Sequence, residues 1–328
     1  MFHRQAEQCR GRSELYAGLC ERFADNTDVT PIIGERFQWD AALRLLSGLH
    51  FLVLRGQITW DEAEAALVTH GDFLTRHVAT QGVQTNEVQR CWMLLPCFLH
   101  AARRLGAERI DVIELGPSAG LNLTWDHYRY HYRQGDWGPS GTLEFTGEER
   151  GEVPGDLLSS APSVGSRIGV DLHPIDVTTD DGARLLKSFV WADQTHRLDQ
   201  LDRAIRVRRS DPPQLVAGDI AEVLPRLLAR RRPNVSLLVW QTAVLGYLPV
   251  DARDAVLAAL DEAGREGPLA FVSTTSPNDG SHLYYGLTVR SWPDGLVDQV
   301  AHADFHGAWI RWLDDAERAV DATVNVPL

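Results

Sequence analysis

The chain has little that would tie it to a metal, a membrane or a nucleic acid. Its four cysteines (Cys9, Cys20, Cys91, Cys97) never fall in a C-x-x-C spacing, so neither a zinc site nor a disulfide framework is indicated. Lys187 is the only lysine, and arginine carries nearly all the positive charge, a usage suggestive of a GC-rich bacterial genome. No apolar run approaches the roughly 20 residues that span a bilayer. The opening Met-Phe-His-Arg-Gln-Ala-Glu-Gln has no apolar stretch of a secretory signal, so a cytoplasmic protein is expected. A net charge of −13 argues against bulk binding of nucleic acid or an anionic membrane.

What is there is an ordinary folded composition, 44% hydrophobic and 23% charged over 328 residues, enough for one large domain or two modest ones. Up to about residue 105 the pattern is helical. Apolar residues recur at three-to-four spacing over 7–24, 39–54 and 60–80. A fourth helix over 86–105 carries Val88, Trp92, Leu95 and Leu99 on one face, with Pro96 expected to kink it. Beyond this, strands are predicted at 111–115, 167–172, 214–217, 235–241 and 269–274. Helices are predicted over 180–191, 197–209, 220–231 and 251–263. Such alternation means a parallel sheet with helices on both faces. Two more strand-like runs, 283–292 and 296–304, are joined by Pro293-Asp-Gly295, a hairpin signal. Residues 134–164, rich in Gly, Pro and Ser with one strand-like run at 142–146, read as an insertion. The expected organisation is a helical cap over 1–105 and an α/β domain over 106–328.

The chain is organised around Ile110-Asp-Val-Ile-Glu-Leu-Gly-Pro-Ser-Ala-Gly-Leu-Asn122. Residues 111–115 read as a buried strand, Gly116 to Gly120 as a tight turn, and 121–132 as a helix. That arrangement points backbone N–H groups at a ligand. Two chemistries use it. One is a nucleotide-binding G-x-G-x-G loop with Ser118 in place of the middle glycine. The other is the G-x-S-x-G nucleophile elbow of an α/β-hydrolase, with Ser118 as nucleophile. The elbow needs upstream strands to complete its oxyanion hole, and almost everything before Ile110 is helical. Its triad would have to be drawn from Asp279, His282, His302 and His306, and with twelve histidines such a match is cheap. The loop fits better.

Acidic residues support the loop. Glu114 precedes the glycine turn, Asp171 ends the second strand in Gly169-Val-Asp-Leu-His-Pro174, and Asp219 ends the third in Val216-Ala-Gly-Asp219. Acids at the carboxyl ends of adjacent strands, beside a glycine loop, hold the ribose hydroxyls of a nucleoside. With the hairpin-closed parallel run, these motifs resemble the class I S-adenosylmethionine-dependent methyltransferases over about residues 107–310. More narrowly, Gln84-Thr-Asn-Glu-Val-Gln-Arg90, Ser118-Ala-Gly-Leu-Asn-Leu123, Tyr128-x-Tyr130 and Tyr247-Leu-Pro249 resemble an uncharacterised bacterial family with that fold, over nearly the whole chain.

The resemblance implies a Rossmann-like methyltransferase sheet with an N-terminal helical cap, S-adenosylmethionine as cofactor and a small-molecule acceptor. Glu114, Gly116, Ser118, Gly120 and Asn122 would line the methionine part. Asp171 would hold the ribose, and Asp219 with Ile220 would meet the adenine. Asp171 lies some fifty residues beyond Gly120, where about 20 is usual. If 142–146 is instead the second strand, Glu148 or Glu149 takes the ribose role. A binding protein on the same fold, without turnover, is the alternative beside the hydrolase.

Asn86, Glu87 and Arg90 lie at helical spacing before the first strand and would offer polar groups to the substrate or to the methionine carboxylate. By the same resemblance Trp240, Gln241 and Thr242, at the end of the fourth strand, stand where an acceptor is oriented, and Tyr247 and Trp191 could wall its pocket. His127 and His131 read as surface residues of a Tyr-rich helix. His302-x-Asp304-x-His306 lacks the further ligand spacing of a metal site, and no metal is expected. Methyl transfer from a sulfonium needs alignment more than acid–base chemistry, so a catalytic triad is not required.

Overall fold

The computed structural model describes residues 1–34, 38–141, 143–232, 234–275, 283–315 and 317–318. In chain order the helices are α1 (Phe2–Cys9), α2 (Glu14–Ala24), α3 (Val29–Ile33), α4 (Ala41–Leu54), α5 (Ala63–Thr69), α6 (Gly71–Thr80), α7 (Arg90–Arg104), α8 (Gly155–Leu158), α9 (Asp180–Ser188), α10 (Thr195–Ser210), α11 (Ile220–Leu228) and α12 (Val250–Glu266). The strands are β1 (Arg109–Leu115), β2 (Arg129–Tyr132), β3 (Gly135–Trp137), β4 (Glu144–Phe145), β5 (Glu148–Gly151), β6 (Ser163–Asp171), β7 (Gln214–Ala217), β8 (Ser236–Gln241), β9 (Leu269–Thr275), β10 (Tyr285–Trp292), β11 (Leu296–Ala303) and β12 (Trp309–Trp312). Among the described residues no helix is long and apolar enough to cross a membrane.

The chain parts into two compact units, one of Met1–Asn86 with Ile175–Ile205, the other of Glu87–Pro174 with the described residues from Arg206 on. The first is helical. The run expected over 7–24 breaks at Gly11, whose φ is +72°, and restarts where the Ser13 hydroxyl accepts the Tyr16 N–H and caps α2. The run over 60–80 likewise breaks, with a capping box at Thr59 and Glu62 and a second interruption at His70. Leu45, Leu46, Leu49 and Leu52 of α4 are buried in a core shared with Leu19, Phe23, Leu67 and Leu74. Each such side chain contributes about 1.5–3 kcal/mol. Polar groups cross this core in a chain: the Ser47 hydroxyl bonds both Ser188 Oγ and His77 Nε2 at 3.0 Å.

The boundary expected at residue 105 lies elsewhere. From Cys91 to Ala102, α7 is buried almost all round, a helix that must be covered on every side, and it belongs with the sheet. The segment 175–205, whose pattern reads equally well as crossover helices, belongs with the helical unit. That unit is therefore completed by chain inserted between β6 and β7.

The second unit is a mixed α/β structure. Among its described residues a sheet of nine strands runs β5-β12-β11-β10-β9-β8-β1-β6-β7. β7, β6, β1, β8 and β9 are parallel; β10, β11 and β12 follow antiparallel. The expected five parallel strands with an antiparallel C-terminal hairpin are all present. Asp279 and His282, before β10, lie outside the described residues. Ile113 and Leu115 of β1 pack with Val239 of β8, Ile220 and Leu224 of α11, and Leu260 of α12. On the other face Trp240 of β8 meets Phe98 of α7, ring centres 5.0 Å apart.

Two expectations are corrected. Residues 121–132 are not a helix. A short 3-10 run, Asn122–His127, kinks at Thr124 and gives way to β2. Tyr128, Tyr130 and Tyr132 are buried while Arg129 and His131 between them are partly exposed, the period of a strand. β2 centres a small sheet ordered β3-β2-β4. The run expected at 142–146 supplies only β4 to that sheet, with Thr142 outside the described residues. The second strand beside β1 is β6, and Glu148 and Glu149 lie on β5 at the far edge, paired with β12.

Candidate functional site at the carboxyl ends of the parallel strands

From β1 the chain passes outward to β6 and β7, then returns to lay β8 on the other side of β1. Ligands of open α/β sheets bind at such a reversal, outside the carboxyl ends of the strands. Here those ends are the Gly116–Gly120 turn after β1, Asp171 at the end of β6, and Thr242 and Ala243 after β8. Among the described residues the non-glycine positions with positive φ are Ser118 (+54°) and Ala243 (+69°). Both flank the reversal. Left-handed backbone costs a side-chain-bearing residue about 1–2 kcal/mol, and such strain concentrates at functional sites.

The turn is fastened to β6. Asp171 Oδ2 accepts the Ser118 N–H at 2.8 Å, and Oδ1 accepts the His173 N–H at 2.9 Å. The Gly116 N–H donates to Val170 O at 2.9 Å. Space for the turn depends on Gly169 of β6, where a Cβ would stand 2.6 Å from Pro117 Cγ. Gly120 has φ +76°, and a Cβ there would meet Leu215 Cδ2 at 3.0 Å and Pro213 Cγ at 3.2 Å. A Cβ on Gly116 would meet Val244 at 2.9 Å. Both glycines are thus required by the protein's own packing on the faces where a Cβ would project.

Glu114 supplies the site's unusual electrostatics. It is 2% exposed, and its Oε2 is buried without a hydrogen-bond partner. Burial pushes its carboxyl up to about 8; the negative charge of Asp171 adds to this, while the Trp240 indole and Arg90 oppose it. Trp240 sits directly across the β1–β8 ladder. At neutral pH Glu114 is mostly protonated, a buried acid ready to ionise once a cation lies beside it.

On the β8 side Arg90, the first residue of α7, donates from Nε to Phe305 O at 2.8 Å and from Nη1 to Thr242 Oγ1 at 3.4 Å. Gln89 donates to Thr146 O and Gly307 O, which pins the start of α7. The helix begins only at Arg90, so Glu87 precedes it, and the expected helical spacing of Asn86, Glu87 and Arg90 does not exist. Glu87 is buried, its main-chain O taking the Asn122 amide, while Asn86 closes the helical unit.

The other predicted residues separate. Asn122 is buried and accepts the Cys91 thiol. Asp219 caps α11, its Oδ1 accepting the Ala221 N–H at 2.7 Å, and Ile220 is buried in the core. Gln241 is 1% exposed and fastens the following turn, donating to Thr274 O and accepting from the Leu245 N–H. It is a positioning residue, where contact with an acceptor was expected. Tyr247 is 75% exposed at the rim. Trp191 stacks on Tyr16 inside the helical unit. His131 lies on β2 between Asp136 and Glu144, not on a helix, and His302 bonds Gln299. Among the described residues no group of three His, Cys, Asp or Glu is placed to hold a metal. Sequence reasoning missed Ala243, just past the end of β8, and Tyr285, the first residue of β10; their only signal was position at a strand end.

The chain belongs to the family described as "Uncharacterized protein conserved in bacteria (DUF2332)", whose profile matches residues 1–312. No curated protein matches it in sequence. Among solved structures it is similar to one titled "DhpI-SAM-HEP complex", at 13% identity over 73% of this chain and 86% of that one. The TM-score is 0.23, too loose a superposition to transfer a ligand or an activity.

Proposed function

We propose that this member of the family binds S-adenosylmethionine at the carboxyl ends of β1 and β6 and transfers its methyl group to a small-molecule acceptor. The observation that carries the reading is the buried, unpartnered carboxyl oxygen of Glu114 beside a strained small-residue turn at the reversal of strand order. The residues present suit the group. A cationic amino acid tail would give Glu114 the partner it lacks. Asp171 spends one lone pair of each oxygen on backbone N–H groups, which leaves acceptor capacity for a ribose diol. Asp219 and Ile220 are a cap and a core residue, so an adenine would rest on neighbouring backbone. When bound, the cofactor supplies an activated methyl on its sulfonium. The chain's own residues would fix position and exclude water.

Calorimetry with S-adenosylmethionine and S-adenosylhomocysteine tests the reading. Saturable micromolar binding that weakens strongly in Glu114→Gln is expected. No saturable binding at millimolar ligand overturns it. A second reading, serine hydrolysis, draws on the left-handed Ser118, which a strained nucleophile elbow also presents. Against it, the turn leads into a short 3-10 run and a strand, without the helix an elbow opens.

A further inference from the structure

We propose that the strand ends on the β8 side form a separate subsite that binds a small aromatic carboxylate through Arg90. This rests on the cofactor reading of the adjoining β1 and β6 ends and adds the chemical class of the acceptor. Arg90 is half-buried, and among the described residues it forms no ion pair. The nearby acids are engaged elsewhere. A Glu87 carboxylate oxygen accepts the Gln89 N–H at 3.4 Å, and Asp304 Oδ2 accepts the His306 N–H at 2.7 Å. Glu114 is mostly neutral, for the reason given above. Arg90 also occupies the first turn of α7, which contains no acid, so its charge adds to the positive end of the helix dipole. Two other half-buried arginines of this acidic chain are neutralised, Arg44 by Asp40 and Arg167 by Asp126. A guanidinium without an ion pair at the carboxyl ends of the strands suits an anion.

The walls are aromatic. Tyr285 meets Phe305 edge-on with ring centres 4.6 Å apart. Burial raises the Tyr285 hydroxyl, with Arg90, Tyr247 and Asp304 all near enough to influence it. Tyr247 is exposed on the same rim. Flat rings on the wall suit a flat ring in the ligand, and the guanidinium fork matches a planar carboxylate. One cation balances one negative charge. A phosphate dianion would leave a second charge facing Asp304.

Benzoate is the probe, titrated into the full chain by calorimetry, with benzamide as its neutral counterpart and S-adenosylhomocysteine measured in parallel. Each variant is first checked by thermal melting. Benzoate should bind the wild type and weaken roughly tenfold to a hundredfold in Arg90→Gln, the range for a hydrogen bond to a charged group. Arg90→Lys should retain part of the affinity, Tyr247→Ala should weaken it, and benzamide should bind as poorly to the wild type as benzoate does to Arg90→Gln. S-adenosylhomocysteine binding should be unchanged in Arg90→Gln. The proposal is overturned if benzoate fails to bind the wild type, if Arg90→Gln leaves it unaffected, or if inorganic phosphate binds more tightly. Parallel loss of S-adenosylhomocysteine in Arg90→Gln also overturns it and assigns Arg90 to the cofactor's own carboxylate. Should Arg90→Gln not fold, Tyr247→Ala and the benzamide comparison decide alone. Arg90-dependent benzoate binding without any S-adenosylhomocysteine binding would sink the cofactor reading and leave this subsite standing.

Discussion

The backbone N–H of Ser118 donates to Asp171 Oδ2 at 2.8 Å, joining positions 53 residues apart. The contact makes the geometry of the glycine turn depend on the end of the neighbouring strand. Asp171→Ala would strip acceptors from both the Ser118 and His173 N–H groups. Hydrogen bonds to a charged group contribute about 1.5–3 kcal/mol each, so a destabilisation of about 2–4 kcal/mol is expected, with loss of S-adenosylhomocysteine binding. Asp171→Asn, which keeps one acceptor oxygen, should lose less. Equal urea midpoints for wild type and Asp171→Ala would show that the turn is held by other means.

Ser118 separates the two chemistries of its turn. With φ at +54°, Ser118→Gly relieves left-handed strain of about 1 kcal/mol and should keep stability and cofactor binding. Ser118→Ala removes a neutral hydroxyl and should weaken cofactor binding about tenfold at most. A fluorophosphonate probe should leave Ser118 unlabelled. Stoichiometric modification would replace the cofactor reading with the hydrolase.

Stability should respond to pH with opposite signs in the two units. Burial pushes His50 and His77 of the helical unit down to about 4. The unfolded chain then binds more protons than the folded one as pH falls from about 6.5 toward 4, so stability falls with it. At pH 5 the loss is about 2 kcal/mol per histidine. Glu114 is raised to about 8, so the folded chain holds the extra proton and stability declines as pH rises from about 4.5 to 8. Urea titrations of wild type and His77→Gln at pH 5 and 7 check the first effect; a variant with the wild-type pH slope would contradict it. The gap between Glu114→Gln and wild type should shift in favour of the variant between pH 5 and 8, and a pH-independent gap would contradict the second.

Gly120→Val should act on the fold before it acts on any ligand. Its Cβ would press on Leu215 and Pro213, at a φ of +76° that β-branched residues avoid. Gly169→Ala, with a Cβ 2.6 Å from Pro117, should unseat the same turn from the other side. Both variants are expected to lose about 2 kcal/mol or more. A Gly120→Val protein with wild-type melting and lost cofactor binding would instead place the glycine against the ligand.

The parallel strands were legible because each is a short apolar run between helices, and the acids at their ends sit where the alternation stops. The turn after β1 was legible from its small residues. The segment after it was not legible as a strand. Tyr128, Tyr130 and Tyr132 carry a strand's alternation, but an expected helix behind a glycine turn outweighed it. Ala243 bore no sign of a left-handed conformation, since nothing in an alanine requests positive φ; the surrounding fold imposes it. Asp219 and Gln241 look like ligand contacts from their positions, yet both serve backbone geometry, and only hydrogen-bond partners distinguish those uses.

The insertion of Ile175–Ile205 into an otherwise N-terminal helical unit has a consequence during synthesis. When Asn86 leaves the ribosome, α1 to α6 already exist, but α9, whose Ser188 meets Ser47, is still some 90 residues away. At about 5–20 residues per second, the nascent chain exposes the apolar side of that unfinished bundle for roughly 5 to 20 seconds. In that interval β1 and much of the second unit emerge first. Newly made chains should therefore be most open to chaperone capture or aggregation between the first helices and the 175–205 segment, a hazard set by the order of translation and invisible in the finished protein.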